Sequence, residues 1–119
     1  MLFYEVLTVQ ATSSITRNND FRRIYASGKS AASGNVVLYC KRNPRGYSKL
    51  GITVSTKVGK AVVRNRVRRR LREIYRLHET KIMRGFDLVI VARVKSPYAT
   101  YQQLERDFLR LVDKLGLGV

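Results

Sequence analysis

Cysteine is almost missing from this chain of 119 residues: Cys40 stands alone, so no internal disulfide can close and no cysteine-rich zinc site can be assembled. Its apolar neighbours make it a buried structural thiol in a chain that reads as cytoplasmic. Acids are scarce as well, eight in all and dispersed. Neither a two-metal carboxylate cluster nor a nucleophile beside a base can be read from the sequence. Histidine occurs once, at His78, on the apolar side of a helical pattern near its end, where it reads as structural and not catalytic. No apolar run nears the ~20 residues that a membrane-spanning helix needs. The stretch Leu2-Phe3-Tyr4 is interrupted by Glu5 and no small-residue cleavage site follows, so a secretory signal is not expected. There is no internal repeat.

What the chain has in excess is positive charge: 24 Lys and Arg against 8 Asp and Glu, a net charge of +16. Its hydrophobic fraction of 45% is ordinary for a globular domain and too high for a disordered basic tail. A core is therefore expected, and the charge around it calls for a polyanionic partner. Residues 1–14 mix apolar and hydroxylated side chains and form an N-terminal segment whose order the sequence leaves open; residues 15–119 read as one domain, expected to bind that polyanion.

The pattern predicts the order helix, strand, strand, helix, strand, helix. Thr16 to Asp20 is rich in capping residues, Phe21, Ile24 and Tyr25 follow at helical spacing, and Gly28 supplies a left-handed stop. Residues 36–42 and 50–55 read as strands joined by the turn Asn43-Pro44-Arg45-Gly46. Pleating puts Val36, Leu38 and Cys40 beside Leu50, Ile52 and Val54 on one face, and Tyr39, Lys41, Gly51, Thr53 and Ser55 on the other. The near-continuous apolar run at 86–93 reads as a central strand, and residues 60–77 as the longest helix. Thr100 caps a last helix with Leu104, Phe108, Leu111 and Leu115 on one stripe, ending at Gly116. The fold class is α/β (α+β): a two-layer sandwich of three helices and a small mixed sheet.

The long helix carries the chemistry. Lys60 to Arg76 holds eight of the 24 basic residues and one acid. Val63, Val67, Leu71, Ile74 and Leu77 make one apolar stripe, and Arg64, Asn65, Arg66, Arg68, Arg69, Arg72 and Arg76 fill the remaining arc. Arg64, Arg68 and Arg72 repel one another at i, i+4 spacing, a strain that a polyanion relieves. A merely solvated face would be served equally well by mixed Lys and Glu. Arginine binds phosphate bidentately and stacks on bases, which favours RNA or DNA over a membrane. A narrow apolar stripe, needed for docking on the sheet, also argues against a membrane. A second candidate surface combines Tyr39, Lys41, Thr53 and Ser55 with Phe21 and Tyr25, rings and cations suited to single-stranded RNA, although Phe21 and Tyr25 at helical spacing could equally be core.

The triplet Arg64-Asn65-Arg66, with Lys60-Ala61-Val62-Val63 before it and Arg69 and Arg72 after it, resembles the signature of the bacterial ribonuclease P protein subunit family. Asp20-Phe21, Val37-Leu38-Tyr39, Gly51-Ile52-Thr53-Val54-Ser55 with Lys57, and Val91-Ala92-Arg93 match in order and spacing, over about residues 15–115. The resemblance implies a subunit that assists a catalytic RNA in removing the 5′ leader of precursor tRNA, with magnesium ions bound mainly by the RNA, none bound by the protein alone, and no catalytic residue in the protein. It assigns Lys60, Arg64, Asn65, Arg66, Arg68, Arg69 and Arg72 to the catalytic RNA, and Phe21, Tyr25, Tyr39 and Lys57 to the leader. It also implies a left-handed β-α-β crossover, against the usual hand of such connections. Tyr25 departs from the Phe that relatives often place there, and the start before the first helix is longer than usual. No obligate protein partner is evident. A ribosomal-type structural RNA binder is the alternative, and a nuclease acting alone through His78 a third reading.

Overall fold

The sheet forms around the most apolar strand of the chain. The computed structural model describes residues 12–119, which make strands β1 (Thr12–Ser14), β2 (Lys29–Ala32), β3 (Val36–Arg42), β4 (Ser48–Val54) and β5 (Phe86–Ala92). Three helices join them: α1 (Asn18–Ser27), α2 (Ala61–His78) and α3 (Tyr101–Lys114). The strand order is β1-β4-β5-β3-β2, so β5 is central, as its unbroken apolar run predicts. It runs parallel to β4 and antiparallel to β3, with α2 making the crossover from β4 to β5.

The predicted pleat is the observed one. Register places Leu38, Ile90 and Ile52 side by side, and likewise Tyr39, Val89 and Gly51. The first row and its neighbours Val36, Cys40, Val54, Leu88 and Ala92 bury against α2 and α3 in the main core. The second row lies under α1, where Ile24, Ile15 and Val89 form a smaller cluster with Phe21, Tyr39 and Val91 packed around it. Cys40 is buried and free, and burial pushes its thiol up from its ordinary value.

Two edge strands and one glycine differ from the sequence expectation. β2 has the sequence Lys-Ser-Ala-Ala, with no β-branched or aromatic residue, and is a strand because β3 offers it a backbone ladder from Lys29↔Cys40 to Ala32↔Val37. β1 pairs parallel to β4 in the same way. The N-terminal segment set at 1–14 thus ends inside the sheet: Thr12–Ser14 is strand, while residues 1–11 lie outside the described residues. Gly28 is not a left-handed stop, since its φ of −80° and ψ of 165° are extended. Its role is close approach: a Cβ there would stand 2.5 Å from the Ile24 carbonyl oxygen and 2.7 Å from that of Cys40. Arg17 occupies the N-cap of α1 without a side-chain cap, so the polar residues before the helix do not cap it.

α3 begins as predicted, with Thr100 accepting from the Gln103 backbone N–H while the Gln103 side chain accepts from Thr100 N–H, a complete capping box. Leu104, Phe108 and Leu111 are buried, Leu115 is half-buried, and Gly116 takes a left-handed φ of 70° just past the helix.

Candidate nucleic-acid interface

α2 is positioned by its apolar stripe and by a turn in front of it. Gly59, at φ 155°, leads into Lys60 at the N-cap. Val67, Leu71 and Ile74 are fully buried and Val63 is half-buried, as the periodicity requires. Leu77 is not: it is 51% exposed, and Tyr75 is buried in its place. The reason is α3, whose Phe108 meets the Tyr75 ring edge-on at 6.3 Å and turns the buried arc of α2 toward that side. The Tyr75 hydroxyl reaches Thr12 on β1 at 2.8 Å. Burial raises its pKa to about 12, against the opposing hydrogen bond from Thr12.

The arginines of α2 face outward. Asn65, Arg66, Arg69, Arg72 and Lys60 are exposed, and Arg64, Arg68 and Arg70 are half-buried. Arg64 Nε donates to the Gly59 carbonyl at 3.2 Å, and an Arg68 amino group donates to Asn65 Oδ1 at 2.9 Å. Both bonds hold the guanidinium groups along the helix surface and leave further N–H donors on each. The single acid of the helix, Glu73, pairs with Arg76, whose hydrogen bond holds the carboxyl below its usual range. Among the described residues no carboxylate pairs with Arg64, Arg66, Arg68, Arg69, Arg70 or Arg72. The first turn of α2 contains no acid, so the arginines that follow it are set near the positive end of the helix dipole, where cations are least favoured. This charge does not serve the helix itself.

On the opposite face of the sheet the three predicted rings come together. Phe21 and Tyr25 have centroids 6.3 Å apart, and Tyr25 meets Tyr39 edge-on at 4.9 Å. The Tyr25 hydroxyl bonds Thr53 at 3.0 Å, while the ring remains 39% exposed. Beneath them lies a residue whose part the pleat alone does not indicate: a Cβ on Gly51 would stand 2.6 Å from the Phe21 ring, so the glycine is what lets α1 sit down on β4. Lys57 is exposed on the turn Thr56–Val58, which leads from this face toward α2, and among the described residues no hydrogen bond or cation–ring contact joins it to the rings. His78 belongs to neither surface. It is half-buried and bonds Glu105 at 2.8 Å, tying α2 to α3 as a structural histidine does.

Among the described residues no helix is long and apolar enough to cross a membrane. Comparison with known proteins adds the following. The family model described as Ribonuclease P matches residues 9–116. The ribonuclease P protein component of Clostridioides difficile (strain 630) is 42% identical over 109 residues, covering 91% of this chain and 96% of that one. That of Alkaliphilus metalliredigens is 39% identical over 109 residues, 92% and 98% of the two chains. Among solved structures, the RNase P protein of Staphylococcus aureus superposes with a TM-score of 0.81 at 32% identity, over 87% of this chain and 95% of that one. The RNase P protein of Thermotoga maritima superposes with a TM-score of 0.78 at 32% identity, over 86% and 96%.

Proposed function

The chain belongs to the ribonuclease P protein family, and on that basis we propose that it is the protein subunit of a cytoplasmic ribonucleoprotein that removes the 5′ leader from precursor tRNA. One observation carries the reading: six arginines of a single helix stand at the surface without a carboxylate among the described residues. In this reading Lys60, Arg64, Asn65, Arg66, Arg68, Arg69 and Arg72 contact the phosphates of a catalytic RNA. Phe21, Tyr25 and Tyr39 stack the unpaired bases of the leader, and Lys57 meets its backbone. Family membership favours this reading over the ribosomal-type alternative.

The protein's part is electrostatic and positional. Its net charge of +16 lowers the repulsion between two large polyanions and displaces their counterions. Magnesium, when bound, supplies Lewis-acid stabilisation of the phosphoryl oxygens and an activated water. Five of the described carboxylates are engaged elsewhere: Asp20 with Arg23, Glu73 with Arg76, Asp87 with Arg45, Glu105 with His78 and Asp107 with Ser33 and Asn35. No three His, Cys, Asp or Glu among the described residues converge on a point that could hold a metal. This reading assigns the ions mainly to the RNA and bond cleavage to the RNA's centre.

Reconstitution with the host's catalytic RNA and a precursor tRNA tests it. Adding the protein lowers the magnesium concentration needed for cleavage and shifts preference toward leader-bearing substrate over mature product. If neither changes, the reading is wrong.

A further inference from the structure

We propose that a second cleft, between α3 and the connection leaving β5, takes a single-stranded segment of RNA, with a base on Tyr98 and a phosphate among Lys95, Arg106 and Arg110. The proposal rests on the reading above for the class of partner, and on separate residues for its geometry.

The cleft has a volume of about 470 Å³, within the size range of pockets that take small ligands. Its aromatic wall is Tyr98, 88% exposed on the turn Ser96–Tyr98. The ring does not stand out because its turn is loose. Ser96 before it is fully buried, Ala99 after it is buried, and the turn is closed by Ser96 N–H to Arg93 O at 2.9 Å, Tyr98 N–H to Lys95 O at 3.0 Å and Ala99 N–H to Ser96 O at 3.2 Å. A large ring is thus held in water by an anchored backbone, with no ring or hydroxyl partner among the described residues. That arrangement costs apolar exposure and suits a flat partner.

The cationic wall comes from one stripe of α3. Gln103, Arg106, Asp107 and Arg110 face the cleft at helical spacing, on the face that flanks the buried stripe of Leu104, Phe108 and Leu111. Arg106 and Arg110 are like charges one turn apart, and Lys95 faces them across the cleft; none of the three has a carboxylate partner among the described residues. Asp107 is the one acid in the lining. Its Oδ2 accepts from Ser33 Oγ and from Asn35 Nδ2, both at 2.9 Å, so it fastens the turn before β3 to α3 and leaves the cations to the cleft. The lining keeps a net positive charge, and arginine forks match phosphate oxygens.

Location makes this surface continuous with the first. β4 and β5 are parallel, so the start of α2 and the connection leaving β5 lie at the same end of the sheet, and Ser96–Tyr98 packs against α2. A strand crossing the Arg64-Asn65-Arg66 turn of α2 therefore has a second cationic and aromatic station within the same molecule.

The test uses the full chain and a short thiouridine-substituted oligouridine, with photo-crosslinking read by mass spectrometry and affinity read by anisotropy over a salt series. Crosslinks are expected on the peptide that carries Tyr98. The double variant Arg106→Ala/Arg110→Ala loses about tenfold in affinity at low salt and lowers the salt slope by about 1 to 2. Tyr98→Ala loses about tenfold with its salt slope unchanged, because stacking releases no counterions. Equal thermal unfolding of all variants keeps these effects to binding. Unchanged affinity in both variants, with no crosslink between residues 93 and 110, overturns the cleft while leaving the α2 reading intact if Arg66→Ala/Arg69→Ala still weakens binding of the catalytic RNA. Equal displacement by polyglutamate, with Tyr98→Ala behaving as wild type, points to an acidic protein surface and overturns it as well.

Discussion

The two faces of the sheet are built on opposite terms. Toward α2 and α3, strands β3, β4 and β5 contribute mostly aliphatic side chains, and Leu38, Leu88 and Ile90 are essentially without exposure. Toward α1 the same strands contribute Tyr39, Gly51, Thr53 and Val89, covered by a helix of ten residues with one fully buried side chain, Ile24. The first face is where folding free energy is concentrated. The second is thin enough to leave a tyrosine ring partly open to solvent, and it holds together through the small cluster of Ile15, Ile24 and Val89, ring contacts and the close seat that Gly51 gives Phe21. A protein of this size can afford a shallow binding face only because the other face is dense.

Four experiments press on that contrast. Ile90→Ala, on the dense face, should cost about 2 to 5 kcal/mol in urea unfolding, through lost burial and the cavity left behind; a smaller loss than on truncation of Phe21 would break the contrast. Raising pH should come next. Tyr75 on the dense side has its pKa raised to about 12 in the folded chain, against an ordinary phenol value when unfolded. The folded state therefore keeps a proton that the unfolded state releases, and stability falls between about pH 10 and 12 by roughly 3 kcal/mol. Tyr75→Phe should flatten that fall in a pH series of unfolding curves. Gly51→Ala should cost about 1 to 3 kcal/mol because Phe21 must move, and should weaken binding of a long leader more than binding of the catalytic RNA. Arg66→Ala, on exposed α2, should change stability by no more than about 0.5 kcal/mol while lowering the salt slope of catalytic-RNA binding by about 1. If Gly51→Ala and Arg66→Ala damage both binding steps alike, the two surfaces are not separate.

Much of this architecture is legible in the amino-acid order itself. The spacing of Val67, Leu71 and Ile74 locates α2, the alternation in β3 and β4 sorts the faces, and the run in β5 places it at the centre. What escapes does so for local reasons. Thr-Ser-Ser in β1 and Lys-Ser-Ala-Ala in β2 carry no strand signal of their own, because an edge strand can be specified by the ladder its neighbour presents. Leu77 and Tyr75 exchange places because the width of a buried stripe depends on the helix packed against it, here through Phe108. The rings of α1 could be core or site by spacing alone, and they divide: Phe21 is half-buried against Ile15, Ile24 and Val89, while Tyr25 is exposed. The cleft at Tyr98 leaves no linear signal because Asn35, Lys95, Tyr98 and Arg110 meet only after the chain has folded back on itself.

The place of β5 in the sheet also sets when the molecule can exist during synthesis. Without it, β1 with β4 and β2 with β3 are two ribbons that share no ladder, and β5 is the last strand to leave the ribosome. Until residue 92 has emerged, the arginine-dense segment that becomes α2 has no completed sheet to lie on, so it passes through the most RNA-rich surroundings in the cell while still a nascent, unsupported polycation.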